Sequence, residues 1–219
     1  MINYKEAQEI IKSQAVRLSK ELIDIDDSMG RVLAEDIIAE RDFPPFNRSA
    51  MDGIAIQIED FRKGIRNFQI IETVFAGQKS QKELSAGQCY KIMTGAAVPA
   101  SADAVIRRED LIENKYTVRV ETDHCKRYQN IASKGEDLKK NSIALQAPFK
   151  INASGTGFIA SLGRQKIWVY KIPEVVIFTT GNEVISVGEQ VNDLQIYNSN
   201  LHMLKALMLE HKIKPIHTA

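Results

Sequence analysis

Phe43-Pro-Pro-Phe-Asn-Arg-Ser-Ala-Met-Asp-Gly53 is where the chain changes character. Two prolines stiffen the approach, Ser49 and Asp52 supply acceptors, and Gly53 permits a backbone conformation that other residues resist. From residue 42 to about 141, short β-branched runs follow one another, at 69–75, 90–93, 104–106 and 116–120, with Gly, Pro, Asn and Asp between them. Strands of that length bounded by turn residues predict a compact β-rich module.

Upstream the grammar is helical. Asn3 followed by Glu6 resembles a capping box, which gives acceptors to the free N–H groups of a helix start. Ala7, Ile10, Ile11, Ala15, Leu18 and Leu22 recur at helical spacing, so the opening segment is expected to be an amphipathic helix with one buried stripe. A second short helix is expected over 30–37, after a turn at 26–28. Downstream of the module, 152–162 reads as a helix stopped by Gly163, and 167–170 as one more strand before Pro173.

The tail differs again. Val175-Val-Ile-Phe178 is a continuous apolar run, suited to a strand covered on both faces. Thr179-Thr-Gly-Asn-Glu183 follows at once, where open α/β sheets place their ligands, just beyond a strand's C-terminal end. Asn198 and Ser199 can cap a helix whose stripe is Leu201, Leu204, Met208 and His211, and 214–217 predicts a second strand. Two strands cannot bury both faces of a parallel sheet, so the α/β domain begun here is expected to be unfinished. The fold class is therefore α/β plus β-rich.

The charge balance narrows the function. Lys plus Arg total 29 against 28 Asp plus Glu, a net charge of +1, which leaves no excess of cations for nucleic acid. Basic pairs such as Arg107-Arg108 are interleaved with acids and read as solvated faces. Cys89 and Cys125 make neither a disulfide framework nor a zinc site, and His124, His202, His211 and His217 show no metal-ligand spacing with them. The N-terminus carries charge where a signal peptide needs an apolar stretch, and no apolar run approaches bilayer length. A reduced, cytoplasmic protein without nucleic acid or membrane partners is the expectation.

Three segments have the composition of a site. Asp52 beside Gly53 suits a functional acid, though an acid beside a glycine is also an ordinary turn. Met93-Thr-Gly-Ala-Ala-Val-Pro99 can bring backbone N–H groups to an anion, or form a tight turn; it lacks the Lys-Ser/Thr ending of a P-loop. Glu183 at a strand end suits magnesium, a hard cation, but equally a helix cap or a solvated side chain.

Taken in order, these segments resemble the molybdopterin molybdenumtransferases (the MoeA family) and the related E domain of gephyrin. The resemblance is carried by Pro45-Phe-Asn-Arg-Ser-Ala-Met-Asp-Gly53, Lys91-Ile-Met-Thr-Gly-Ala-Ala-Val-Pro99 and Ala102-Asp-Ala-Val-Ile106. It continues through Gly30-Arg-Val-Leu-Ala-Glu-Asp36, Asn130-Ile131, Gly135-Glu-Asp137, Phe178-Thr-Thr-Gly-Asn-Glu-Val184 and Tyr197-Asn-Ser-Asn200. It implies an elongated, multi-domain subunit that forms a homodimer. A connecting domain would comprise 22–41 and 142–171, a β-rich insert domain 42–141, and an incomplete molybdopterin-binding α/β domain 1–21 and 172–219.

The implied reaction consumes adenylylated molybdopterin and molybdate and releases molybdenum cofactor and AMP, with Mg2+; tungstate is an open alternative to molybdate. Asp52, Thr94 and Glu183 would be the catalytic residues: Asp52 orienting substrate or metal-bound water, Thr94 donating to a phosphate or molybdate oxygen, and Glu183 ligating the metal. Ser49, Gly95, Thr180, Gly181, Asn182 and Ser199 would bind the pterin substrate. In the family the site lies in a cleft between the insert domain of one subunit and the α/β domain of the other, and a molybdopterin adenylyltransferase is a further possible partner. Three departures stand out. Ala132, Ser133 and Lys134 occupy positions where the family usually has arginines, Asn182 replaces an aspartate, and the serine- and glycine-rich loop and final β domain are absent. This polypeptide is therefore expected to be inactive alone. A non-catalytic pterin-binding or dimerisation module is the rival reading.

Overall fold

Gly53-Ile-Ala-Ile56 shows why the middle of the chain folds as it does. In a strand successive side chains point to opposite faces, and all four of these residues are buried. Ile54 and Ile56 enter a cluster with Ile58, Phe61, Phe68, Ile106 and Val118, while Ala55 enters another with Val74, Tyr90, Ile92 and Val105. The strand is thus central, with a core on either side.

The computed structural model describes residues 2–215 and the backbone of 217 and 218. It resolves into a split unit, Met1–Ile37 with Leu145–Ala219, and an inserted unit, Ile38–Ala144. In chain order the main elements are α1 (Tyr4–Ser13), β1 (Lys20–Asp24), β2 (Val32–Leu33), β3 (Arg48–Ser49), β4 (Gly53–Ile56), α2 (Ile58–Arg62), β5 (Asn67–Val74) and β6 (Gln88–Ile92). There follow β7 (Ala104–Arg107), β8 (Leu111–Glu113), β9 (Thr117–Val120), β10 (Ile131–Ala132), β11 (Phe149–Lys150), α3 (Ala153–Ser161) and β12 (Lys166–Tyr170). The tail holds β13 (Val176–Ile177), β14 (Val184–Ile185), β15 (Ile196–Tyr197), α4 (Ser199–Glu210) and β16 (His217–Thr218). The fold is mixed α/β and rich in strands, as the sequence predicts.

The inserted unit is a six-stranded sheet in the order β7-β4-β6-β5-β9-β8, antiparallel except for β5 against β6, with a separate β3–β10 pair. The split unit carries a four-stranded antiparallel sheet, β1-β12-β2-β11. On β12, Ile167 and Val169 are buried while Lys166 and Trp168 face out. Helix α3 adds Ile159 to the buried set, begins on Asn152, whose side chain accepts from the Gly155 N–H, and is followed by Gly163 at φ +81. In the tail, β13 pairs in parallel with β16 and β14 with β15, and the Asn198 side chain caps α4 through the Leu201 N–H. The expected strand–helix–strand order is present; Ile216, within its second strand, lies outside the described residues.

The run at 175–178 is a strand only at Val176–Ile177, and with Val176 and Phe178 exposed it is not covered on both faces as expected. Two further expectations fail. The opening helix ends at Ser13 rather than reaching Leu22, and it buries none of its residues, so there is no buried stripe. Leu22 instead faces Trp168 in the β1–β12 ladder. The helix expected over 30–37 is absent because Val32 and Leu33 pair with Lys150 and Phe149, and Leu33 also with Val169. In both places long-range strand pairing overrides a local periodicity.

Candidate functional site

Position 53 admits only glycine: a Cβ there would sit 1.9 Å from the Ile106 carbonyl oxygen. This close approach lets β4 leave the 50–52 turn while remaining paired with β7 (Gly53 opposite Arg107). Ser49 secures the turn from within. It is fully buried, and its hydroxyl donates to the Met51 carbonyl at 2.6 Å. The Ala50 N–H donates to Asn130 O at 2.9 Å, and the Asn130 amide donates to Val105 O at 2.9 Å. Asn130 thereby ties the turn to β7.

Asp52 emerges exposed from this frame. Its Oδ1 accepts from the Thr94 N–H at 2.7 Å and from the Thr94 hydroxyl at 2.8 Å. Asp52 Oδ2 has no partner among the described residues. The Thr94 N–H, then its hydroxyl, hold the Asp52 carboxyl below the usual range against the opposing effect of desolvation, and the nearby Arg108 charge adds a lesser pull in the same downward direction. Asp52 is accordingly an anion at neutral pH.

The 93–99 loop is a tight turn. Its N–H groups are taken: Thr94 by Asp52, Gly95 by Ser49 O at 2.9 Å, and Ala96 by Met93 O at 3.0 Å. The Thr94 hydroxyl, expected to serve a phosphate or molybdate oxygen, is donated to Asp52 instead. Ser49, Asp52, Thr94 and Gly95 therefore come together, with Thr94 and Ser49 positioning Asp52.

A pocket opens beside Asp52, with Ile54, Ile70 and Leu111 as apolar lining and Lys91, Arg108 and Glu113 as its charged groups. Lys91 pairs with Glu113. Arg107 is held by Asp110 at 2.7 Å, whereas Arg108 has no ion-pair partner among the described residues. Sequence reasoning missed Arg108. Its only signal was a basic pair following the Ala104-Val-Ile106 strand, and the β4–β7 register is what brings it to Asp52 (the Arg108 N–H donates to Asp52 O at 2.9 Å).

The remaining expected residues lie in the split unit. Thr180 and Ser199 line an open pocket with Thr179, Asn198, Asn200 and Leu204. Asn198 organises it, capping α4 with its oxygen and donating its amide to the Thr179 hydroxyl at 2.7 Å. Gly181, Asn182 and Glu183 are exposed and stand outside that lining. The Glu183 carboxylate folds back over Gly181, where a Cβ would meet it at 2.9 Å. It has no hydrogen-bond or ion-pair partner among the described residues, nor do three His, Cys, Asp or Glu side chains converge there. No described helix is long and apolar enough to cross a membrane.

Residues 2–163 match the family model described as MoeA N-terminal region (domain I and II). A molybdopterin molybdenumtransferase of Staphylococcus epidermidis is 36% identical over 219 residues, covering 97% of this chain and 52% of that protein. One from Synechocystis is 31% identical, covering 94% and 53%. The chain thus spans about half the length of the curated relatives it matches. A crystal structure of the molybdopterin biosynthesis MoeA protein of Pyrococcus horikoshii superposes with a TM-score of 0.90 at 31% identity, covering all of this chain and 60% of that one. The chain belongs to the MoeA family, whose N-terminal region it carries.

Proposed function

We propose that this chain acts in molybdenum cofactor biosynthesis, binding adenylylated molybdopterin for the insertion of molybdate and the release of AMP. The observation that supports it best is the Asp52–Thr94 tie: one carboxylate oxygen takes both Thr94 donors, and the other is left to substrate. Asp52 Oδ2 accepts a hydroxyl, a ring N–H or a water proton, while Arg108 on the pocket wall meets a phosphate oxygen. Thr180 and Ser199 offer hydroxyl donors in the second pocket.

Magnesium fits Glu183 as one exposed carboxylate without a partner among the described residues, since this ion is usually held by one or two carboxylates, substrate phosphates and water. When bound it would neutralise the pyrophosphate-type linkage and polarise its phosphorus. The proposal includes a cytoplasmic homodimer as the working form.

Titration of the folded chain with adenylylated molybdopterin, followed by pterin fluorescence, tests the reading. Saturable binding is expected, weakened about tenfold by Asp52→Asn or Arg108→Gln, the loss of one charge-assisted contact. Failure of the folded chain to bind, or binding indifferent to both changes, would refute it.

One observation favours the rival reading of a non-catalytic pterin-binding module. Ala132 pairs with Arg48 where a guanidinium was expected, and the Lys134 ammonium is turned to Asp42 at 3.5 Å. Adding molybdate and magnesium to the same assay separates the two, because AMP release requires the transferase and binding without it fits the module.

A further inference from the structure

The Gly30-Arg31 motif has no part in either patch described above, yet it borders a concave site of its own. Gly30, Arg31, Lys150, Lys171 and His211 line a pocket in the split unit together with the apolar Ile213. We propose that this pocket binds a compact tetrahedral dianion of the phosphate, sulfate or molybdate type.

Gly30 adopts φ +77, with its N–H donated to Ile151 O at 2.8 Å. Just beyond the end of α4, Lys212 also has positive φ, at 60, and its N–H donates to Leu209 O at 2.9 Å. This conformation lays the Lys212 side chain across Gly30, with Cε 3.4 Å and Nζ 3.9 Å from where a Cβ at position 30 would stand. Lys150 sits opposite Val32 in the β2–β11 ladder, next to Arg31, and Lys171 directly follows β12.

Arg31 and the exposed Lys150 and Lys171 thus line this pocket, the exposed Lys212 lies beside it across Gly30, and no carboxylate is among its lining. Arg31 is already neutralised, since it pairs with Glu21 and donates to Tyr170 O at 2.9 Å. Lys150, Lys171 and Lys212 have no ion-pair partner among the described residues. Like charges gathered in a concavity repel one another, and the apolar wall (Val32, Ile172, Pro173, Ile213) raises the strength of that field. A bound anion relieves the repulsion. The ligand class follows from the donors: the planar fork of Arg31 is committed, leaving ammonium point charges, which suit a compact oxyanion better than a flat carboxylate.

Isothermal titration of the full chain with inorganic phosphate, sulfate and molybdate, at ionic strength matched with chloride, tests this. Saturable binding of at least one dianion is expected, and the anion that binds tightest identifies the source. Lys150→Gln with Lys171→Gln should weaken it by about tenfold or more, as should Lys212→Gln at the end of a helix that buries nothing. Arg108→Gln, which removes the cation offered to phosphate in the Asp52 patch, should leave this binding unchanged, and that separates the two sites. Heats no different from the chloride control would overturn the proposal. So would binding that survives all three lysine changes in folded variants, or that is lost in Arg108→Gln.

Discussion

Asp52 and Thr94 are 42 residues apart in sequence, yet one oxygen of the first receives both donors of the second. The consequence for pH follows from the direction of the shift. A carboxylate whose folded pKa lies below its unfolded value contributes stability above the unfolded value, and loses it as pH falls through the lower folded one. The tie is therefore complete at neutral pH and releases only in acid, below the ordinary Asp value of 3.8. A carbon-detected NMR titration should place the Asp52 midpoint under that value. Thr94→Val should move it only partway back, because the backbone N–H, the larger cause, survives the change. A wild-type midpoint at or above 3.8 would mean the tie is absent in solution. At this scale the sequence was informative about which residues assemble but less so about their tasks. Ser49 and Thr94 looked like ligand contacts, and both instead spend their hydroxyls holding the turn and the acid. Arg108 was illegible because its importance arises from strand register, which no short window of sequence contains.

Helix α1 and strand β1 show where element boundaries come from. Apolar residues at 7, 10, 11, 15, 18 and 22 satisfy a helical period, but a period records only what one local conformation would align. Five residues of β1 find partners on β12, and Leu22 belongs to that ladder. The runs at 69–75, 90–93, 104–106 and 116–120 were legible for the opposite reason. Their β-branched content and bounding turns agree with the ladder they join, so local and distant preferences coincide. Helix α1 keeps its cap, Asn3 Oδ1 accepting from the Glu6 N–H at 2.9 Å, yet no residue of it is buried. Its stability is therefore local. Asn3→Ala should cost the helix about 1 kcal/mol, the usual worth of a cap, seen as roughly fivefold faster amide exchange over its first two turns. The urea midpoint of the whole protein should stay where it was. A lowered global midpoint would show that α1 is docked on something that gives it a share in cooperative unfolding.

Burial is spread unevenly over the molecule, and that distribution sets the order in which its parts open. Both buried clusters lie in the inserted unit, where Ile54, Ile56, Tyr90, Ile92, Val105 and Ile106 are 2% exposed or less. In the split unit, Leu33, Ile151, Ile159 and Val169 make a smaller buried set around the β1-β12-β2-β11 sheet. Beyond residue 171, Ile177 is the one buried hydrophobic among the described residues, while Phe178 is 68% and Leu194 86% exposed. Helix α4 turns Leu201, Leu204 and Met208 of its expected stripe partly inward but buries none of them fully, and the fourth member, His211, is exposed just past the helix end. Since apolar burial is the main force resisting opening, segments that bury little should exchange through local events well below the global unfolding free energy. Hydrogen exchange at neutral pH should therefore find Ala55, Tyr90 and Val105 slowest. The amides of Ile177 and of the Leu204–Met208 turn should exchange faster by about a hundredfold or more. Protection at Ile177 equal to that at Ala55 would show that β13 opens only with the whole molecule, and that its stability rests on contacts other than the apolar burial seen here.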